Sequence, residues 1–319
     1  MKKYIVKRVI GLIPLLLVVS IFSFLILQAA PGSPIDNYMQ PGMTEEQIEA
    51  LKEEYGLNGS IAEQYWYWLK HVLQGDMGTS ISKNRPVTEL IAERLPATVS
   101  LMGASLLISI VCSIPLGLIA GLHKDRPVDK VISTITYFGI SIPPFWIAMI
   151  SVIIFAIKLR WFPTGGMHSL DVESTADTLW HMVLPACVLS LNHTAVYTKY
   201  IRSNTISQLE EDYVVTAVSK GTNKNIILFR HVLKNCLLPI ITLIGMNIAG
   251  LVCGSFIIEN IFSWPGIGRL CMEAVGGRDY PVIMGYTMFS CLILIVGNLV
   301  ADVLYAVADP RIREGMGRK

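Results

Sequence analysis

The chain has 319 residues, of which 52% are hydrophobic and only 16% are charged. Soluble domains carry about 25% charged residues, so this composition excludes an ordinary soluble domain and indicates a membrane protein. The formal net charge of +2 gives no reason to expect a polyanionic partner such as a nucleic acid.

Long apolar runs predict six membrane-spanning helices. Each of the first three runs lacks charged residues and exceeds the roughly 20 residues that cross a ~30 Å hydrocarbon core. The runs are residues 9–30, 95–122, 131–157, 178–198, 236–258 and 282–301. Only helices or closed barrels satisfy the backbone in lipid, so an all-α bundle is expected.

The first run follows basic residues, as the apolar region of a secretory signal peptide would. Its apolar stretch is longer than the about 7–15 residues of such a region, and no good cleavage site follows it. Residues 1–30 are therefore predicted to be a retained membrane helix.

The segment at residues 31–94 is long enough to contain structure of its own. Thr44 begins a capping-box pattern, and Ile48, Leu51 and Tyr55 recur at helical spacing. The aromatic cluster at residues 65–68 is typical of a water–lipid boundary. Two short helices lying over the outer face of the membrane are therefore expected.

The positive charges predict an orientation. With both termini placed in the cytoplasm, 17 of the 26 Lys and Arg residues fall on the cytoplasmic side. Cytoplasmic loops of membrane proteins carry an excess of Lys and Arg, so cytoplasmic termini are favoured.

Glycines and prolines within the spans indicate bent, closely packed helices. Gly117 and Gly121 form one pair of small residues four apart, and Gly250 and Gly254 form another. This spacing permits close contact between helices. Prolines occur in most of the runs and interrupt regular helix.

Common signatures of catalysis are missing from the sequence. It contains no G-x-x-x-x-G-K-[ST], no G-x-G-x-x-G, no H-E-x-x-H and no G-x-S-x-G. The six cysteines form no C-x-x-C pair, and most lie in the apolar runs, which is typical of packing residues. We expect no catalytic residue, no cofactor and no metal site in this chain.

Polar residues inside the spans are few. Asn192 and His193 lie in the fourth run, and Asn298 and Asp302 lie four apart on one face of the sixth. Such residues are candidate functional positions by default. Two interpretations stay open, namely hydrogen bonds between helices and the lining of a transport path.

A polar helical segment at residues 203–235 separates two apolar runs. Acidic residues open its helix, where they suit the positive end of the helix dipole, and Gly221 suits the left-handed position that ends it. Tyr213, Ala217 and Lys220 share one face of this helix. A helix–turn–helix on the cytoplasmic face of the membrane is predicted.

Short motifs in a fixed order resemble one family over nearly the whole chain. They are "APGSP" at 30–34, "GDMGTS" at 75–80, "ERLPATVSL" at 93–101, "EEDYVVTAVSKG" at 210–221, "HVLKNCLLPIIT" at 231–242, "ENIFSWPGIGRL" at 259–270, "RDYP" at 278–281 and "DPRIRE" at 309–314. The chain resembles the membrane permeases of bacterial ABC importers of the dipeptide, oligopeptide and nickel group. It is similar to the first of the two paired permeases.

This resemblance implies the type I ABC importer permease fold in the bacterial inner membrane, with a core domain at 95–308 and a cytoplasmic tail at 309–319. It implies four kinds of partner: a second homologous permease, two cytoplasmic ATPase subunits, an external solute-binding protein and membrane lipid. It also identifies the polar segment as a coupling helix that meets an ATPase. The candidate coupling residues are Glu211, Asp212, Tyr213, Ala217, Lys220 and Gly221. The segment departs from the family pattern in the valines at 214, 215 and 218, in Ser219 where arginine is expected and in Thr222 where leucine is common, and these departures bear on the fit to a partner.

The cargo stays open at this point. Short peptides are expected, and nickel, a metal chelate or glutathione is the alternative within the same mechanism. An ion-coupled secondary transporter is the alternative from another class. It would normally place paired ionisable residues near the bilayer midplane, whereas Asp302, the acidic residue among the polar candidates, lies close to a helix end.

Overall fold

The described part of the chain is helical. The computed structural model describes residues 2–31, 43–54, 58–172, 174–223, 226–236 and 255–308. Within these residues there are α-helices, two π-helical segments and an isolated β-bridge between Thr79 and Pro86, but no β-strand. The all-α prediction is confirmed for this part of the chain.

The helices have the following bounds. They are α1 (Lys2–Ala29), α2 (Glu45–Glu54), α3 (Ile61–Leu73), α4 (Val87–Leu122), α5 (Pro127–Ser141), α6 (Pro144–Ser151), α7 (Thr175–Leu209), α8 (Asp212–Ser219), α9 (Ile267–Gly277) and α10 (Tyr280–Ala308). The π-helical segment Val152–Lys158 continues α6, and the segment Ile227–Val232 follows α8.

Among the described residues, four helices are long and apolar enough to cross a membrane. They are Gly11–Ala29 in α1, all of α4, all of α7, and Tyr280–Leu299 in α10. A bent pair, α5 with α6 and its continuation, gives a fifth if both halves form one span. Residues 237–254 of the predicted span at 236–258 lie outside the described residues, so the prediction of six spans stays untested.

The third predicted span is broken rather than continuous. Its two halves meet at 100°. Ile142 and Pro143 at the break have extended backbone angles, and Pro144 opens α6 at a position where a missing N–H costs nothing. The expectation of proline-bent helices is confirmed here.

The chain divides into two compact units, each described by itself. The N-terminal unit consists of Lys2–Thr98 and Pro265–Ile295, and the core unit consists of Val99–Trp264 and the residues from 296 onward.

In the N-terminal unit, α3 lies against α1. The hydroxyls of Ser20 and Tyr65 are 2.8 Å apart, and Gln28 Nε2 donates to Gln64 Oε1 at 2.7 Å. α3 begins with a capping box, in which Ser60 and Glu63 satisfy each other's backbone N–H groups. α2 begins after Thr44, as the sequence predicts. The two short helices are confirmed, and their place at the membrane surface stays a prediction.

In the core unit, α4 and α7 meet at the first predicted glycine pair. A Cβ atom on Gly117 would lie 2.5 Å from Cβ of Ile201, and one on Gly121 would lie 2.6 Å from Cβ of Thr205. Real Cβ atoms do not approach so closely, so both contacts require glycine. The close packing predicted for this pair is confirmed, whereas Gly250 and Gly254 lie outside the described residues.

Candidate coupling and translocation sites

α8 is a short helix with a well-formed end. The N–H of Gly221 donates to Val218 O at 2.9 Å, and the N–H of Thr222 donates to Ala217 O at 3.1 Å. These two bonds form a Schellman motif, which requires a left-handed residue after the helix. Gly221 has φ +74, as predicted, and no atom lies within 4 Å of the place a Cβ would occupy. The backbone angle alone therefore selects glycine at this position.

One side of α8 is fastened by a polar network. Tyr213 OH donates to Gln208 Oε1 at 2.7 Å, and Asn235 Nδ2 donates to the same oxygen at 3.0 Å. Asn235 Nδ2 also lies 3.3 Å from Tyr213 OH. The network joins the end of α7, the start of α8 and the helix that follows Ile227–Val232.

An apolar cluster completes this inner side of α8. Val214, Ile227, Val232 and Cys236 are buried together, and Tyr213 and Ala217 pack against them. Tyr213 and Ala217 therefore lie on the anchored face of α8 rather than on its free face. The other predicted coupling residues, Glu211, Asp212, Lys220 and Gly221, are exposed at the two ends of the helix.

The side of α8 opposite this cluster, its free face, carries two apolar side chains that are not among the candidate coupling residues. Val215 is 57% exposed and Val218 is 59% exposed. They lie three residues apart, so they are neighbours on the helix surface. This apolar pair is therefore the part of α8 that is open to contact with another molecule.

The polar residues predicted in the spans form two pairs on two different helices, α7 and α10. Asn192 and His193 are half-buried in α7, where the His193 ring lies 5.9 Å from the ring of buried Tyr197. Asn298 is half-buried in α10, and Asp302 lies in the same helix. Within the described residues, no hydrogen bond links Asn298 to Asn192 or His193. Their assignment to a transport path stays a prediction.

A second polar site lies in the N-terminal unit and was missed by sequence reasoning. Asp279, just before α10, is fully buried. Its Oδ2 accepts from Ser80 Oγ at 2.6 Å, Ser82 Oγ at 2.7 Å and Ser82 N at 3.0 Å. Lys83 Nζ pairs with Glu273 Oε2 at 2.8 Å beside it. The loop at residues 75–86, which we call the Asp279 loop, is thereby fixed to the junction of α9 and α10.

A cavity of about 370 Å³ opens in the same unit. α1, α3, the Asp279 loop and the start of α10 line it, with aromatic and amide side chains that include Phe24, Gln28, Gln64, Tyr67 and Trp68. The motifs "GDMGTS" and "RDYP" both contribute residues to the cavity lining and to the bonds around Asp279. The sequence of either motif gives no sign that the two are in contact.

Comparison with known proteins gives consistent matches along the chain. Residues 113–314 match the family described as binding-protein-dependent transport system inner membrane component. Residues 1–102 match the N-terminal family of the same membrane components. The two matches together cover nearly all of the sequence.

Individual relatives are similar over their full length. The oligopeptide transport system permease protein AppB of Bacillus subtilis is 43% identical over 314 residues, covering 98% of this chain and 99% of that protein. The glutathione transport system permease protein GsiC of Salmonella typhimurium is 36% identical over 313 residues, with the same coverage.

A solved structure shares the fold. The MetNI methionine ABC transporter in an inward-facing conformation aligns with a TM-score of 0.52 at 11% identity, covering 68% of this chain and 97% of the solved one. This match supports the ABC type I permease fold, and at that identity it supports the fold alone.

Proposed function

The chain belongs to the family of inner-membrane components of binding-protein-dependent transport systems, and from that membership we propose that it is one of two homologous permease subunits that carry short peptides through an ATP-driven importer. The observation that carries this proposal is the full-length similarity to an oligopeptide permease, at 43% identity over 98% of the chain. Glutathione is itself a peptide, so the 36% identity to a glutathione permease favours the same chemical class. Nickel and metal chelates remain alternative cargoes.

ATP hydrolysis takes place on partner subunits in this proposal, because the chain has no phosphate-binding loop motif. The partners are a second permease, two cytoplasmic ATPase subunits and an external solute-binding protein. Family membership favours this mechanism over ion-coupled transport, since the family is defined by dependence on a binding protein.

α8 is the proposed receiver of the ATPase movement. Val215 and Val218 contact the ATPase, and the exposed charges of Glu211, Asp212 and Lys220 set the orientation of docking. Tyr213 and Ala217 act from the other side, by holding the helix to its support. Gly221 ends the helix so that the chain can turn back toward the membrane.

Both termini are placed in the cytoplasm, on the distribution of 17 of 26 positive charges. A cysteine introduced at Ser60 should then react with a membrane-impermeant reagent from outside the cell, and one at Asn223 should not. The reverse labelling pattern would invert the proposed topology.

The proposed transport path between the two permeases includes the polar residues of the spans, Asn192, His193, Asn298 and Asp302.

The proposal is tested by uptake into vesicles that contain both permeases and both ATPases. A labelled tripeptide should accumulate only when the binding protein outside and ATP inside are both present. Uptake driven by a proton or sodium gradient without ATP would contradict it. Uptake of nickel but not of any peptide would leave the mechanism intact and replace the cargo.

A further inference from the structure

A bidentate ion pair joins α5 to α7 in the core unit. Arg202 Nε lies 2.5 Å from Asp129 Oδ1, and Arg202 Nη2 lies 2.7 Å from Asp129 Oδ2. Asp129 is only 2% exposed. A planar guanidinium that meets both carboxylate oxygens is directional as well as strong. The pair therefore fixes the orientation of α5 against α7 as well as their separation.

The same carboxylate organises the turn between α4 and α5. Asp129 Oδ2 accepts from the N–H of Asp125 at 2.9 Å, and Asp129 Oδ1 accepts from Ser133 Oγ at 3.2 Å. Asp125 has φ +63, so the chain turns sharply there. The turn, the first part of α5 and α7 all meet at Asp129.

α4 packs against α7 near the same residue, Arg202. A Cβ atom on Gly121 of α4 would lie 2.6 Å from Cβ of Thr205 and 3.1 Å from Arg202 O, and both of these residues belong to α7. α4 therefore touches the backbone of α7 at the residue whose side chain holds α5. Close-packed interiors transmit displacement rather than absorbing it, so these three helices are expected to move as one body.

Arg202 lies about two helical turns before the end of α7. Beyond it, Gln208 belongs to the polar network that anchors α8. A displacement of α8 therefore reaches Arg202 along a short, continuous helix. From Arg202 the ion pair leads to α5, which is the first half of the span bent by 100°.

We propose that the Asp129–Arg202 pair is the connection through which movement of α8 tilts α5 and so changes access to the transport path. Asp129 and Arg202 are positioning residues, since neither is assigned to the cargo or the nucleotide. The inference rests on the proposed coupling role of α8, and it adds the route by which that coupling enters the bent span.

A nearby exposed ion pair provides a matched control. Lys124 Nζ lies 3.8 Å from Glu210 Oε1, and both side chains are more than half exposed. This pair also joins the α4–α5 turn to the end of α7, but it is a single, long and solvated contact. Exposed pairs of this kind contribute little to stability.

The test uses the complete reconstituted importer and measures peptide transported per ATP hydrolysed. Asp129→Asn removes the charge at constant shape, and Arg202→Lys keeps the charge but loses the two-point geometry. Each should lower the ratio of transport to hydrolysis by at least about fivefold, the lower range of a typical coupling effect. Complex assembly and basal ATP hydrolysis should stay near wild type. Lys124→Gln should leave the ratio unchanged.

The possible results separate the inference from the function it rests on. An unchanged ratio in Arg202→Lys and Asp129→Asn would overturn the inference while wild-type transport upheld the proposed function. Loss of assembly in both variants would also overturn it, because the pair would then be only a structural support. A wild-type complex that shows no ATP-dependent uptake would instead overturn the proposed function itself.

Discussion

α8 and the Asp279 loop are both short segments fixed beside a long helix, α8 beside the end of α7 and the loop beside the start of α10, but they are fixed in opposite ways. A polar network and an apolar cluster both lie beneath α8, while Val215 and Val218 on its free face are more than half exposed. The Asp279 loop is held instead by a completely buried carboxylate outside it, since Asp279 accepts hydrogen bonds from Ser80 and Ser82 of the loop. A segment that is anchored on one side and exposes apolar side chains on the other resembles half of an interface. A segment whose polar groups are already bonded to a buried carboxylate needs no further partner. We therefore expect α8 to contact another protein and the Asp279 loop to keep the N-terminal unit rigid.

Removal of the buried carboxylate should have the largest effect. Asp279→Ala leaves two hydroxyls, those of Ser80 and Ser82, and two backbone N–H groups, those of Ser82 and Val282, without their acceptor. Ser80 and Val282 are buried whereas Ser82 is exposed. A buried group left unpaired costs about 1–3 kcal/mol, so we expect a loss of about 3 kcal/mol in the free energy of unfolding. Thermal unfolding in detergent, followed by circular dichroism, measures this.

Ser82→Ala is the matched control for that variant, because Ser82 is exposed and its hydroxyl makes one short bond, to Asp279, and one longer contact of 3.3 Å, to the Ser80 hydroxyl. A loss of about 1 kcal/mol is expected. If Asp279→Ala were as stable as Ser82→Ala, the Asp279 loop would not be the rigid element described above.

Gly221→Val should abolish transport while leaving the protein in the membrane. The backbone there has φ +74, and a β-branched residue is strained in that region by about 1–3 kcal/mol. Gly221→Asn is the control, because asparagine tolerates the left-handed conformation and nothing crowds a Cβ at this place. Uptake measured at equal expression should be near zero for valine and substantial for asparagine. Equal uptake by both would show that the end of α8 does not matter for transport.

The two faces of α8 are separated by introducing the same charge on each. Val218→Asp places a carboxylate on the exposed face, and should weaken ATPase association about tenfold without affecting stability. Ala217→Asp places it against the buried cluster, and should lower the stability of the permease first. Pull-down of the ATPase and thermal unfolding distinguish the two effects. The same stability loss in both variants would mean that α8 has no free face.

Tyr213→Phe should give the smallest effect. It removes one hydroxyl from the network with Gln208 and Asn235 and preserves the packing of the ring. The loss of about 1 kcal/mol should leave assembly intact and reduce transport only a few-fold. Transport abolished by this change would indicate that Tyr213 contacts a partner directly, against the anchoring role assigned to it.

Local features of the sequence predict much of this arrangement. The left-handed Gly221, the short helix after Thr44 and the close approach at Gly117 and Gly121 all follow from patterns within a few residues. Helix ends and small-residue pairs are determined by local stereochemistry, which explains why they can be read directly.

Long-range pairings could not be read in the same way. Asp129 and Arg202 are 73 residues apart, and Ser80 and Asp279 are 199 residues apart. Which face of α8 is anchored depends on the helix that contains Asn235, so the sequence alone could not show that Tyr213 and Ala217 pack inward while Val215 and Val218 are exposed. Local periodicity identifies a helix but does not decide what packs against each side.

Direct contact between α8 and an ATPase is the central claim, and site-specific photo-cross-linking tests it most directly. The photoreactive residue p-benzoylphenylalanine would replace Val218 in one variant and Ala217 in another, each within the assembled importer in native membranes. We expect cross-links to the ATPase from position 218, changed in yield when ATP is added, and cross-links within the permease from position 217. ATPase cross-links from position 217 with none from position 218 would contradict the account.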